Sequence, residues 1–178
     1  INTKGVCYIP TLTREVSTFV YESEPVFFSD PYFLKEAEPA ILEQLRSPER
    51  QTRMQNSRAA AGYKIALEVA MTNVRALNDG GVRIAMGTDT GPPARFQGYF
   101  EHMEMQMMVD AGMSPIEAIR ASTGVAADCI GMGDIGTLEP GKWGDLLVLD
   151  ANPAEDIANS KTIASVWIAG NRVPDPGR

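Results

Sequence analysis

The chain has 178 residues, 44% of them hydrophobic, and 16 basic against 23 acidic residues give a net charge of −7. That length buries one good core, and the lack of any basic cluster excludes nucleic acid, whose binding depends on Lys and Arg neutralising phosphates. No window reaches the ~18–20 consecutive apolar residues of a membrane span, and no segment has the charged start and apolar centre of a signal peptide, so a cytoplasmic setting with no membrane partner is expected.

The chain begins at Ile1 rather than Met, and its leading reading is the C-terminal part of a longer enzyme. Gly5 to Pro10 is a short apolar strand candidate ended by a proline that cannot donate to a ladder. Thr11, Thr13 and Arg14 follow as a candidate active-site rim. Cys7 and Cys129 lie far apart and outside any metal spacing, which predicts free thiols in a reducing compartment. From Thr18 to Leu45, Pro25, Pro31 and Pro39 break the pattern, predicting a long loop with helical turns, exposed or lid-like.

Ser47-Pro48 pairs a capping serine with proline at the first helical position. One helix is predicted from there through Ile65, Val69, Thr72 and Ala76, stopped by Asn78-Asp79-Gly80-Gly81. The strand Val82–Met86 follows at once, giving half of a βαβ unit. Gly98 to Ala111 is a methionine-rich amphipathic helix, and Ser114-Pro115-Ile116-Glu117 is a capping box opening the next. Its apolar face continues through Ile119, Val125, Ala126 and Ile130. A domain boundary is placed near Gly131. Beyond it come a turn at Leu138 to Lys142, strands at Asp145 to Asp150 and Thr162 to Ile168, and a hairpin at Gly170 to Val173.

Chemistry concentrates after Met86, where an apolar run opens into Gly87-Thr88-Asp89-Thr90-Gly91-Pro92-Pro93. A buried parallel strand delivers a carboxylate to a barrel rim in this way, so Asp89 is a candidate metal ligand or general base. The alternative, an Asx-turn residue closing the strand, stays open. Asp89-Thr90-Gly91 also spells the aspartic protease triplet, but that site needs two carboxylates in a mostly β framework, and long helices flank this one. Thr88 and Thr90 are candidates to orient Asp89 by hydrogen bonds. His102, the only histidine, is a candidate outer support or a structurally hydrogen-bonded residue. Met103, Met105, Met107 and Met108 are assigned to core packing, and Glu101 and Glu104 to solvent. A catalytic zinc takes about three protein ligands plus water. Asp89 and one histidine do not supply that set.

Three blocks in order resemble the amidohydrolase superfamily of metal-dependent hydrolases, nearest its imidazolonepropionase-like and prolidase-like branch. They are Gly81 to Gly91, Glu101 to Thr123, and Ile135 to Asp150, with Gly5 to Thr11 similar to the preceding strand. The resemblance implies an α/β chain: the C-terminal portion of a (β/α)₈ TIM barrel over residues 1–130, then part of a small composite β-sandwich over residues 131–178. It implies one or two divalent metal ions, usually zinc in such enzymes, activating water against an amide, cyclic amide or peptide-like C–N bond. Asp89 would bind metal and shuttle the water's proton to the leaving group. The superfamily's His-x-His pair, its bridging Lys or Glu and its two later His ligands have no counterpart here, and only about two of eight strands of a ~250-residue barrel are found.

The expectation is therefore a hydrolase segment inactive alone, whose partner is a missing N-terminal part or a further copy in a homo-oligomer. Its substrate is a small amide-type molecule. Two rivals stay open: a non-catalytic α/β interaction module using residues 98–130, and one subunit of a split hydrolase.

Overall fold

Prolines and short polar side chains start nearly every helix. The computed structural model describes residues 4–174, so Ile1 and the last residues of the expected 131–178 segment lie outside the described residues. The helices are α1 (Leu12–Val16), α2 (Pro31–Leu34), α3 (Pro39–Arg46), α4 (Pro48–Gln55), α5 (Arg58–Asp79), α6 (Phe100–Asp110), α7 (Pro115–Ser122) and α8 (Gly124–Cys129). Ser47 Oγ accepts from the Arg50 amide at 3.3 Å, with Pro48 just inside α4. The box at Ser114 closes as its spelling predicts: the Glu117 amide donates to Ser114 Oγ and the Ser114 amide to Glu117 Oε2 at 2.7 Å.

The single helix expected from Pro48 to Ala76 is two. Ser57 adopts an extended backbone (φ −79, ψ 119) and its hydroxyl caps the Ala60 amide at 3.2 Å. A serine that bonds the backbone locally offers the chain an exit from the helix, and here the chain takes it. Helix α5 ends in a Schellman motif, with the Val82 amide on Leu77 O and the Gly81 amide on Asn78 O, both at 2.9 Å. Gly81 has φ +68, which a side chain would resist.

Val82–Met86 does not form a ladder. It makes one parallel bridge, Ile84 to Tyr8, through Tyr8 N to Arg83 O and Ala85 N to Tyr8 O, each 2.9 Å. On its other side Val82 N turns back to Leu77 O of α5 and Met86 N reaches Ala121 O of α7, each at 2.9 Å, and neither acceptor belongs to a strand. A strand is defined by its neighbours, and Pro10 ends the one neighbour present. Ile84 is nevertheless buried in a core with Leu12, Val74, Met105, Met108, Ala118 and Ala121, and Ala85 is buried as well. Met105 and Met108 thus pack in the core as expected.

The stretch from Thr18 to Leu45 is not an exposed lid. Each proline starts a new short helical piece: Pro25 before the 3₁₀ turn Val26–Ser29, Pro31 at α2, Pro39 at α3. These pieces deliver Phe27, Phe28, Phe33, Leu42 and Leu45, and the preceding 3₁₀ turn Val20–Glu22 delivers Tyr21, to a second core around Phe100. Phe28 stacks on Phe33 with centroids 5.5 Å apart, and Phe33 meets Phe96 edge-on at 4.7 Å. Aromatic burial, not helical period, organises this region.

The cysteines also depart from expectation. Cys7 and Cys129 form a disulfide, with Cα atoms 6.0 Å apart at a sequence separation of 122. The bond ties the Tyr8 segment to the end of α8. Unpaired thiols had supported the reducing, cytoplasmic setting, and that support is gone, since disulfides persist in oxidising compartments.

Past Gly131 the chain forms an antiparallel sheet of β1 (Leu146–Leu149), β2 (Ile163–Ile168) and β3 (Asn171–Arg172), in the order β1-β2-β3. Leu146 faces Trp167 and Val148 faces Ser165, with an irregularity between Val148 and Leu149. Ala169 and Gly170 both have positive φ (51 and 75), the signature of a type I′ hairpin. A 3₁₀ helix, Ile157–Lys161, lies between β1 and β2 and sends Ile157 into the first core.

Candidate functional site

Two segments paired in parallel end side by side, and each is followed by a residue in the left-handed region. After Tyr8 this is Thr11 (φ 50), and after Ile84 it is Asp89 (φ 52). For residues other than glycine such a backbone costs free energy of about 1 kcal/mol or more and persists only where the surroundings hold it. Helix α6 supplies the hold for both. Glu101 and Glu104 lie one turn apart on it, and neither is the solvated residue the sequence suggests.

Glu104 is fully buried. Its Oε1 accepts from the Leu12 amide at 2.7 Å, and its Oε2 from the Thr13 amide at 2.7 Å and the Thr13 hydroxyl at 2.8 Å. Thr13 Oγ1 also lies 3.4 Å from Thr88 O, so the two loops touch here. Burial pushes the Glu104 carboxyl above its ordinary value, against the pull of these donors. Tyr8 is raised too, by burial first and then by the charge of Glu104.

Glu101 serves the Asp89 loop. Its Oε1 accepts from the hydroxyls of Thr88 and Thr90, each at 3.1 Å, and its Oε2 from the Gly98 amide at 2.7 Å. The Thr90 amide donates to Thr88 Oγ1 at 3.3 Å. Asp89 itself points outward, its side chain 58% exposed, and pairs with Arg95: Nη1 lies 2.6 Å from Oδ2 and 2.9 Å from Asp89 O. Arg95 Nε in turn donates to Ser17 Oγ at 3.1 Å.

Of the residues singled out from sequence, Asp89, Thr88 and Thr90 come together, and His102 is engaged elsewhere. Its Nε2 is 3.0 Å from the Tyr32 hydroxyl and its Nδ1 2.8 Å from Ser160 Oγ. Hydroxyls both donate and accept, so either neutral tautomer is satisfied. Beside them Lys161 Nζ bonds Asp30 Oδ2 at 2.6 Å, and the Tyr99 hydroxyl reaches the same oxygen at 3.1 Å. Burial opposes ionisation of Asp30, but the bonds from Lys161, the Tyr32 amide and Tyr99 outweigh it and hold the carboxyl below its ordinary value. The cluster docks the 3₁₀ helix Ile157–Lys161 onto α2 and α6.

Burial, reinforced by Lys161 and opposed by Glu101, lowers the His102 pKa from its ordinary 6.5. The folded chain therefore binds this proton more weakly than the unfolded chain. Stability should be full above pH 6.5 and fall as pH drops from there through the depressed folded value. Urea unfolding at about pH 7.5 and about pH 5.5 should show the loss, and His102→Gln should shrink the difference. An unchanged difference in the variant would assign it to other groups.

A metal fits this chain poorly. Among the described residues no group of three or more His, Cys, Asp and Glu side chains is placed to hold an ion, and the Asp89 carboxylate is taken by Arg95. A groove of about 650 Å³ lies apart from Asp89, between α2, the 96–99 turn and β2–β3, walled by Phe33, Phe96, Tyr99 and Val166.

Against solved structures, the chain superposes on a Xaa-Pro dipeptidase with a TM-score of 0.65, over 98% of this chain and 36% of that one, at 21% identity. The fold is thus that of part of an amidohydrolase-superfamily structure, of TIM-barrel type. The model of the amidohydrolase family matches residues 38–173, and the chain belongs to that family. It is 31% identical over 115 residues to imidazolonepropionase of Streptomyces avermitilis, covering 63% of this chain and 28% of that protein. To ochratoxinase of Aspergillus niger it is 38% identical over 103 residues, covering 54% of this chain and 20% of the relative. The chain spans less than a third of the length of either curated relative.

Proposed function

We propose that this chain carries the C-terminal share of a (β/α)₈ amidohydrolase barrel over residues 1–130 and part of a small β-sandwich over residues 131–178. The assembled enzyme hydrolyses a C–N bond of an amide, cyclic amide or peptide-like small molecule. The observation that carries this reading is Asp89, held in a left-handed turn just past the C-terminal end of a parallel-paired segment. Barrel enzymes do their chemistry at that end of the strands. The likeness to imidazolonepropionase and ochratoxinase supports a hydrolase.

In this reading Asp89 is the reacting carboxylate and accepts the proton of the attacking water. A divalent ion, zinc by family likeness, requires donors from outside this chain, because the described residues do not form a site for it. The remainder of a barrel, or a second copy, is the expected partner. Val6 and Ile9 flank the single bridge at 50% exposure each, and burying such apolar surface contributes roughly 25 cal/mol per Å².

The test is hydrolysis of a panel of amides, dipeptides and cyclic amides by this chain alone and by the chain coexpressed with the barrel segment of a relative. Activity should appear only in combination and fall by at least about 100-fold in Asp89→Asn, the scale of a lost acid–base group. Activity of the chain alone, or activity indifferent to Asp89→Asn, would overturn the reading.

A further inference from the structure

We propose that Glu101 is the positioning residue for Asp89, fixing its left-handed turn through the hydroxyls of Thr88 and Thr90; the inference rests on the reading of Asp89 as the reacting carboxylate. The loop is gripped on both flanks of Asp89 by one oxygen, Oε1, at 3.1 Å from each threonine hydroxyl. The second oxygen is committed to the Gly98 amide at 2.7 Å, so the carboxylate has no rotational slack. Thr88 is buried, whereas Asp89 projects outward from the same turn. The backbone of Asp89 (φ 52) lies where residues other than glycine are uncommon, although aspartate tolerates it better than most, and restraints from the surroundings keep it singly populated.

The chemistry of the contact is specific to a carboxylate. Glu101 receives three donors and offers none. A glutamine of the same shape replaces one acceptor oxygen by an NH₂ group. Whichever way it turns, a donor then faces either the two threonine hydroxyls or the Gly98 amide. With its oxygen kept on the Gly98 amide, the glutamine turns its NH₂ to hydroxyls that must reverse from donor to acceptor, although Thr88 Oγ1 already accepts from the Thr90 amide, and two charge-assisted bonds become weaker neutral ones. Glu101→Gln should therefore loosen the turn while leaving helix α6, which is set by Phe100, Met105 and Met108 in the cores, in place. The threonines should behave as a matched pair: Thr90→Ser keeps the donor, and Thr90→Val removes it at nearly equal size.

Two measurements on the full chain test this. The first is the backbone order parameter of Asp89 by ¹⁵N relaxation, expected to fall from the rigid value of about 0.85 to below about 0.6 in Glu101→Gln and Thr90→Val and to stay high in Thr90→Ser. A merely structural role would lower melting temperature without this local, hydroxyl-dependent pattern. The second is kinetics of the chain combined with a relative's barrel segment, where Glu101→Gln should lower kcat at least about tenfold with KM little changed, a loss confined to the transition state. If Asp89→Asn abolishes activity but Glu101→Gln leaves both the Asp89 order parameter and kcat as they were, the positioning role is wrong and the carboxylate reading stands. If Asp89→Asn is itself silent, the carboxylate reading has failed, whereas a loss of Asp89 order in Glu101→Gln still establishes the restraint.

Discussion

Replacing Glu104 by leucine should destabilise the chain by about 3 kcal/mol or more, although leucine is similar in size and better suited to a core. The carboxylate, with no exposed surface, is the sole acceptor described for the Leu12 and Thr13 amides, which are themselves buried. Each buried donor left without a partner costs about 1–3 kcal/mol. Removing the charge returns part of its own desolvation cost, so the sum is a net figure rather than the full price of three bonds. Urea unfolding should show the loss, and hydrogen exchange should show the Leu12 and Thr13 amides losing protection before the rest of α1. A stability change within about 0.5 kcal/mol, the usual range for surface sites, would mean the two amides find other acceptors.

Opening the Cys7–Cys129 bond is expected to have an effect of similar size. The bond closes a loop with a sequence separation of 122. Restricting the unfolded chain over such a loop is worth up to about 5 kcal/mol in the chain-entropy account, with about 2–4 kcal/mol typical. Unfolding midpoints should therefore drop on reduction, and the Cys7→Ser, Cys129→Ser double variant should behave like the reduced protein whether or not reductant is present. Rapid alkylation of both thiols in the folded chain without reductant would show that the pair is not joined.

Local signals were legible in the sequence and relational ones were not. The Ser114–Glu117 box and the Gly170 hairpin are decided by residues a few positions apart, and both form. The Val82–Met86 run is apolar enough for a buried strand, but pairing depends on what lies alongside, and the chain supplies one short neighbour. Prolines in the 18–45 region hide a core because they cut the helical period into pieces too short to read. The two glutamates were missed because carboxylates on a helix are usually solvated. A signal existed for one of them. Phe100, Glu104, Met108 and Ala111 recur at three- and four-residue spacing, and all are buried. An acidic residue inside an apolar stripe announces a buried partner. No comparable stripe marks Glu101, whose donors come from the loop it holds.

The two ends of residues 91–97 meet at one carboxylate, since Glu101 accepts from Thr90 on one side and Gly98 on the other. The segment is thus closed at its neck, like a purse drawn by a single cord. Ala94 and Phe96 seat it from below, through the Tyr21 hydroxyl on Ala94 O and the ring contact with Phe33. Gly91, Pro92, Pro93 and Gln97 remain exposed and outside that anchorage. Because the neck is closed by Thr90 and Gly98 and Asp89 is held from within the segment only by Arg95, the crest from Gly91 to Pro93 is free to be rewritten or lengthened as long as Arg95 is kept. Under the proposed function, new substrate preferences would then be acquired by exchange of the crest alone.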